Sequence, residues 1–185
     1  MTNNKLLRKL THLWVVAITA ALLSACQTSG PSSLYAEGLP GTARWAVLPF
    51  VNHSQVEGEM TIQLERIMMV NLPSAGVVEP KLYPETVVTT ASEVLADAHR
   101  LQNGKQWAYQ TGMSFAITGE VYDWSLSDDG HALVSVNLEV VDIRTDKQLW
   151  AVSGTGEGLP GESNYDVSRK LFSELLSSLP INRPQ

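Results

Sequence analysis

The sequence predicts an α+β domain, a mixed-sheet α/β sandwich. Three observations lead there. Trp45-Ala46-Val47-Leu48-Pro49-Phe50 is a near-continuous apolar run of strand length, as expected of a strand buried on both faces. Apolar residues recur at helical spacing in two stretches, through Met60, Leu64, Ile67 and Met68 and through Val167, Leu171, Leu175 and Leu176. Between those stretches, Phe115 to Ser153 alternates apolar and polar residues in three runs separated by turn residues. The expected order is strand, helix, strand, helices, then a three-strand antiparallel meander and a C-terminal helix.

The N-terminus reads as a processed segment. Lys5, Arg8 and Lys9 precede an apolar run of 11 residues from Leu13 to Leu23, broken only by Thr19. A spanning helix needs about 20 residues, so this is a signal peptide rather than a membrane anchor. It ends in Leu23-Ser24-Ala25-Cys26, which resembles the lipobox of bacterial lipoproteins. The expectation is cleavage between Ala25 and Cys26 and lipidation of Cys26. Cys26 is the only cysteine, so no internal disulfide is available to it, and a thioether removes a reactive thiol. Gln27, where an aspartate often marks inner-membrane retention, points to the outer membrane. The expected division is 1–25 signal peptide, 26–43 lipidated N-terminus and tether, 44–180 one periplasmic domain and 181–185 tail. The tether, rich in Ser, Gly, Pro and Thr, either lifts the domain off the membrane or packs against it.

The full chain carries 13 basic and 19 acidic residues. The signal holds three of the basic residues and none of the acidic ones, which leaves ten against 19, or −9, in the mature chain. Such a balance excludes nucleic acid as a partner and fits either a cationic partner or plain solubility.

Within the domain, the Arg44–Phe50 strand is expected to end at Pro49, with Asn52-His53-Ser54 as the loop after it. A helix follows over roughly Glu57 to Leu72. Met60, Leu64, Ile67, Met68 and Asn71 share one face, which is either core or a Met-rich partner surface. Pro73 to Gly76 ends it. Val77-Val78 starts a short strand closed by Pro80. A second helix runs from Glu93 to about Leu101, capped by Thr90 or Ser92. Asn103-Gly104 breaks it, and a separate helical piece spans Lys105 to Thr111 before Gly112. The meander comprises Phe115–Val121, extendable through Trp124 and Leu126, then Val134–Val140, then Gln148–Ser153. Its turns are Ser127-Asp128-Asp129-Gly130 and Arg144-Thr145-Asp146-Lys147. Gly154 to Gly161 reads as a glycine-rich loop. Its spacing is not that of a dinucleotide fingerprint. Asp166 to Leu179 is the last helix, capped by Ser163 or Asn164 and ended by Pro180.

The expectation is a protein that is not an enzyme and needs no cofactor. The mature histidines, His53, His99 and His131, lie far apart and in no metal-ligand spacing. There is no nucleophile elbow and no phosphate-binding loop. Glu120 and Asp123, three apart on one strand, are expected on opposite faces and so do not form a catalytic pair. The candidate contact surface is the meander. Glu120, Tyr122 and Trp124 are expected to share its outer face, unless Trp124 tucks under a loop. Glu120, Asp123, Glu139 and Asp142 are the candidate acidic residues facing a ligand.

Trp45-Ala46-Val47-Leu48-Pro49-Phe50-Val51-Asn52 and the stretch from Val136 to Trp150, together with the lipobox, resemble a group of periplasmic lipoproteins. That group includes the curli secretion channel and the penicillin-binding-protein activators. Within it, the chain is most similar to the PelC-like outer-membrane lipoproteins of Pel exopolysaccharide export, from about Arg44 to Leu179. The resemblance implies a homo-oligomeric ring on the periplasmic side of the outer membrane. Its acidic inner surface would guide a cationic polysaccharide to an outer-membrane porin. A ring requires two different interface patches per subunit. The family's membrane-facing tryptophan has no counterpart in Gly154–Tyr165, where Leu159 is the nearest substitute. The alternative is a lipoprotein regulator that binds a peptidoglycan synthase, against which the short tether argues. A secretion-channel subunit would need spare membrane-spanning strands that this chain lacks.

Overall fold

The computed structural model describes residues 35–54, 56, 60–84 and 93–182. The chain divides into two compact units, Met1–Ala36 and Glu37–Gln185, and all the elements that follow lie in the second. The signal peptide, Cys26 and the caps Thr90 and Ser92 fall outside the described residues. In order, the elements are β1 (Leu39–Pro40), β2 (Trp45–Val47), β3 (Val51–Asn52), α1 (Met60–Ala75) and β4 (Lys81–Leu82). After them come α2 (Glu93–Gln110), β5 (Phe115–Leu126), β6 (Ala132–Asp142), β7 (Lys147–Glu157), α3 (Asn164–Leu176) and β8 (Ile181–Asn182). The α+β class is as expected. The sheet runs β4-β2-β5-β6-β7, with β3 also pairing β5, and it is mixed: β2, β3 and β4 run parallel and the meander antiparallel.

Pro49 has no N–H to donate, so the first apolar run splits into β2 and β3, both parallel to β5. Leu48 still donates its N–H to Ile117, and the buried Thr118 hydroxyl reaches the Pro49 carbonyl at 2.6 Å. Trp45, Leu48 and Phe50 are fully buried. α1 and α3 pack together on one sheet face, where Phe50 meets Phe172 with ring centroids 5.9 Å apart. α2 lies on the other face, over a cluster of Ala46, Leu48, Ala108, Met113, Ala116 and Val141.

Several boundaries differ from expectation. α1 runs on through Pro73 to Ala75, because a single lost N–H in the last turn does not stop a helix that packs well. Gly76, at φ +105°, does stop it: Gly76 donates to Pro73 and Val77 to Leu72 in a Schellman pattern. Val77-Val78 is therefore the cap and not a strand, and the short strand follows Pro80 instead of preceding it. α2 is one continuous helix through Asn103-Gly104. A Cβ on Gly104 would stand 2.7 Å from the Pro49 ring, so this glycine allows close packing and does not break the helix. Gly112, at φ +70°, ends α2 in the same Schellman geometry. β7 extends to Glu157, four residues beyond Ser153, into the stretch expected to be loop. Cβ atoms on Gly154 and Gly156 would lie 2.8 Å from Leu175 and Val167, so the glycines let α3 lie close against an edge strand. α3 begins after Ser163, whose hydroxyl and N–H exchange hydrogen bonds with Asp166 in a capping box. It ends at Leu176, short of Leu179. Leu39–Pro40 and Ile181–Asn182, read as tether and tail, pair as a two-stranded parallel ladder.

Candidate functional site

The site is the sheet face left uncovered beside α2. Strand register decides which residues reach it. On β5 and β6, Ile117, Gly119 and Val121 lie opposite Val140, Leu138 and Val136, on the face packed by α1 and α3. Thr118 and Glu120 lie opposite Glu139 and Asn137, on the other face. A β-bulge then intervenes: Val121 pairs Val136, but Asp123 pairs Ser135, which leaves Tyr122 as the extra residue.

The bulge overturns two expectations together. Asp123 joins Glu120 on the open face instead of opposing it. Trp124, opposite Val134, turns to the helix side, where its ring meets Tyr165 of α3 edge-on at 5.0 Å. Trp124 is therefore a packing residue and not part of an outer stripe with Glu120 and Tyr122. Asp142 also leaves the candidate set. It pairs Phe115 on the helix face and is buried, and its carboxylate accepts the N–H groups of Arg144 and Thr145 at 2.9 and 3.0 Å. Three of the four candidate carboxylates, Glu120, Asp123 and Glu139, thus share one face.

That face is polar across three strands. Ser153 donates to Asn137 at 3.0 Å, and Thr155 to Ser135 at 3.1 Å. Tyr122, 52 % exposed, donates its hydroxyl to the Glu120 carboxylate. His53, at the end of β3, stacks on Tyr122 with centroids 5.4 Å apart and planes 14° apart. Its Nε2 lies 3.9 Å from Glu120 Oε1. The result is a flat aromatic pair beside a row of carboxylates, hydroxyls and an amide. Glu139 feels its neighbours. Burial is the main cause that raises the Glu139 carboxyl above its ordinary value, with Glu120 and Asp146 adding to the rise and Lys105 opposing it. The hydrogen bond to Glu120 is the main cause that raises the Tyr122 hydroxyl, and the charges of Glu120 and Glu139 add to it.

Beneath His53 lies a buried polar cluster that the sequence reading missed. Arg100, 6 % exposed, holds Glu65 bidentately at 2.6 and 2.5 Å, and Glu65 also accepts the Phe50 N–H at 2.9 Å. Asp97 accepts the Asn52 N–H at 3.1 Å. Burial pushes both the Glu65 and the Asp97 carboxyls up, and Arg100 pulls against it in each. The cluster fixes the Phe50–Asn52 segment, and hence His53, against α1 and α2. Its signal was available in sequence: the buried stripe of α1 is Met60, Thr61, Leu64, Glu65, Met68 and Leu72, a helical face with one carboxylate in it. The expected Ile67 and Asn71 lie at its margin.

Among the described residues, no group of three or more His, Cys, Asp or Glu could hold a metal ion, and no helix is long and apolar enough to cross a membrane.

No protein-family model and no curated protein matches the chain. Solved structures do. A PelC dodecamer from Paraburkholderia phytofirmans superposes with a TM-score of 0.63 at 20% identity, over 79% of this chain and 93% of that one. A variant PelC dodecamer from the same organism gives 0.64 at 21% identity, over 85% and 96%. The chain has the PelC fold. Lipoprotein GNA1162 from Neisseria meningitidis also matches, with a TM-score of 0.51 at 22% identity over 72% of this chain and 95% of that one.

Proposed function

We propose that this chain is an outer-membrane lipoprotein, anchored through a lipid on Cys26 after cleavage at Ala25, that assists export of a cationic exopolysaccharide of the Pel type. In this reading it assembles as a homo-oligomeric ring, lines the path to an outer-membrane porin with its open sheet face, and works without turnover. The observation that carries it is that open face. Glu120, Asp123 and Glu139 offer charge to ammonium groups. The hydroxyl and amide pairs offer hydrogen bonds, and the stacked Tyr122 and His53 offer a flat surface to a sugar ring. The likeness to dodecameric PelC supports the ring. A closed ring joins two different patches on each subunit.

The test has two readings on the full chain in detergent. Native mass spectrometry is expected to give one discrete high-order oligomer. Titration with glucosamine oligomers is expected to give saturable binding that the triple variant Glu120→Lys/Asp123→Lys/Glu139→Lys loses. A monomer at high concentration together with unchanged binding in the triple variant overturns the proposal. Affinity capture of a peptidoglycan synthase in place of a porin would favour the regulator reading.

A further inference from the structure

Strand register adds a further carboxylate to the open face. Glu157 of β7 lies opposite Leu133, two positions beyond the Thr155–Ser135 pair. Glu120, Asp123, Glu139 and Glu157 thus share that face, and two of them have an imidazole beside them. His53 Nε2 lies 3.9 Å from Glu120 Oε1, and His131 Nδ1 lies 3.5 Å from Glu157 Oε1. The imidazoles are 39 % and 32 % exposed, so both exchange protons with solvent. Their backbones are fixed. His53 donates its N–H to the Val121 carbonyl, and His131 accepts the Ser127 N–H and donates its own to the Ser127 hydroxyl. Glu120 lies opposite Asn137, six positions along the chain from His131, so the two pairs stand about 20 Å apart along the strands. Asp123, opposite Ser135, lies at the rung between them. Among the described residues, His53 is faced by Glu120 and Tyr122 from β5 and by Asp97 from α2, with Arg100 of α2 and Glu65 of α1 next to Asp97. His131 is faced by Glu157 from β7, and Asp128 and Asp129 share its turn.

Histidine is the side chain whose ordinary charge change falls between pH 5 and 8. An uncharged imidazole leaves the carboxylate beside it free to meet an ammonium group. A charged one pairs with that carboxylate and repels the ammonium. With both rings uncharged the four carboxylates act in full, and with both charged half of that negative charge is offset. We infer that His53 and His131 make the open face a pH-operated release surface, which holds a polycation above neutral pH and lets it go as the two rings take up protons. The inference deepens the proposed function and rests on its reading of the open face as a surface for cationic sugars. A unit charge about 7 Å away in water changes the affinity for a charged group about threefold, so two such charges change it about tenfold.

Isothermal titration of the full chain in detergent at low ionic strength tests it. The probe is a tetramer of N,N,N-trimethylglucosamine, whose quaternary ammonium groups keep their charge at every pH. Binding is expected to be about tenfold weaker at about pH 5.5 than at about pH 8. His53→Phe keeps an aromatic ring beside Tyr122 but takes up no proton, and His131→Gln takes up none either. The readout is the ratio of the two affinities, whatever the level at the higher pH. Each single variant is expected to narrow the ratio to about threefold, and the double variant to bring it close to one. A drop that survives undiminished in the double variant belongs to the carboxylates and overturns the inference. Should the double variant melt early, the two single variants are read instead, and the full drop in both overturns it. Equal affinity of the unaltered chain at the two pH values overturns the inference and leaves the open-face reading standing. Absence of saturable binding at either pH overturns both.

Discussion

Gly119→Ala probes the contact that sets the sheet against its helices. Gly119 lies mid-way along β5 on the face packed by α1 and α3, opposite Leu138. A Cβ there would stand 2.6 Å from Phe50 Cε2 and 2.9 Å from two more atoms of the same ring. Ordinary contact begins near 3.4 Å, so the ring must withdraw by about 0.8 Å to restore it. It has little room to do so. Phe50 is fully buried, packs against Phe172, and is pinned at its own N–H by Glu65. Overpacking of this kind costs about 1–3 kcal/mol. The alanine recovers up to about 1 kcal/mol by restricting the unfolded chain, so the net loss is about 1–2 kcal/mol. Urea unfolding followed by tryptophan fluorescence reads it as a lower midpoint at unchanged slope. In a double-mutant cycle with Phe50→Leu, the costs should fall short of additive by about 1 kcal/mol, because the smaller side chain yields the space. A midpoint that stays put or rises, or strict additivity with Phe50→Leu, would refute the steric argument.

Other substitutions follow from the same geometry. Glu120→Lys, Asp123→Lys and Glu139→Lys are expected to weaken glucosamine-oligomer binding while moving stability by no more than about 0.5 kcal/mol each. Asp142→Lys should instead cost about 1–3 kcal/mol in urea unfolding, because two backbone N–H groups lose their acceptor. Binding of the oligomer should weaken as pH falls toward the acid range, and sooner than for ordinary glutamates, because the Glu139 carboxyl is raised and loses its charge at a higher pH. Glu65→Leu alone should cost about 3–5 kcal/mol by stranding Arg100. Adding Arg100→Met should recover most of that but not all, since the Phe50 N–H stays unpaired. Hydrogen bonds from Ser163, side chain first and then backbone, lower the Asp166 carboxyl, so its contribution is present above its ordinary value of 3.8 and is lost as pH falls through the lowered one. Asp166→Asn should remove that acid-limb slope from the stability profile.

The meander was legible because its signals are local. Strict alternation and an Asp-Gly turn specify strands and their reversal whatever packs on them. The same holds for the Ser163 cap and the Gly112 stop. The helix through Asn103-Gly104 and the strand through Gly154 and Gly156 were not legible. At these positions glycine makes room for Pro49, Leu175 and Val167, residues remote in sequence. Nor was the bulge at Tyr122, since nothing in Val121-Tyr122-Asp123 marks one residue as unpaired. That single insertion moved Asp123 onto the candidate face and Trp124 off it.

Composition and short-range pattern alone determined that the chain is acidic, that it begins with a lipobox-like segment, and that it folds as helices on a mixed sheet. Which carboxylates stand together was decided only when β5 and β6 came into register, since a strand's two faces are interchangeable until a partner and a bulge distinguish them. The same is true of the Glu65–Arg100 pair, 35 positions apart, whose meaning depends on the water excluded when α1 and α2 close over it.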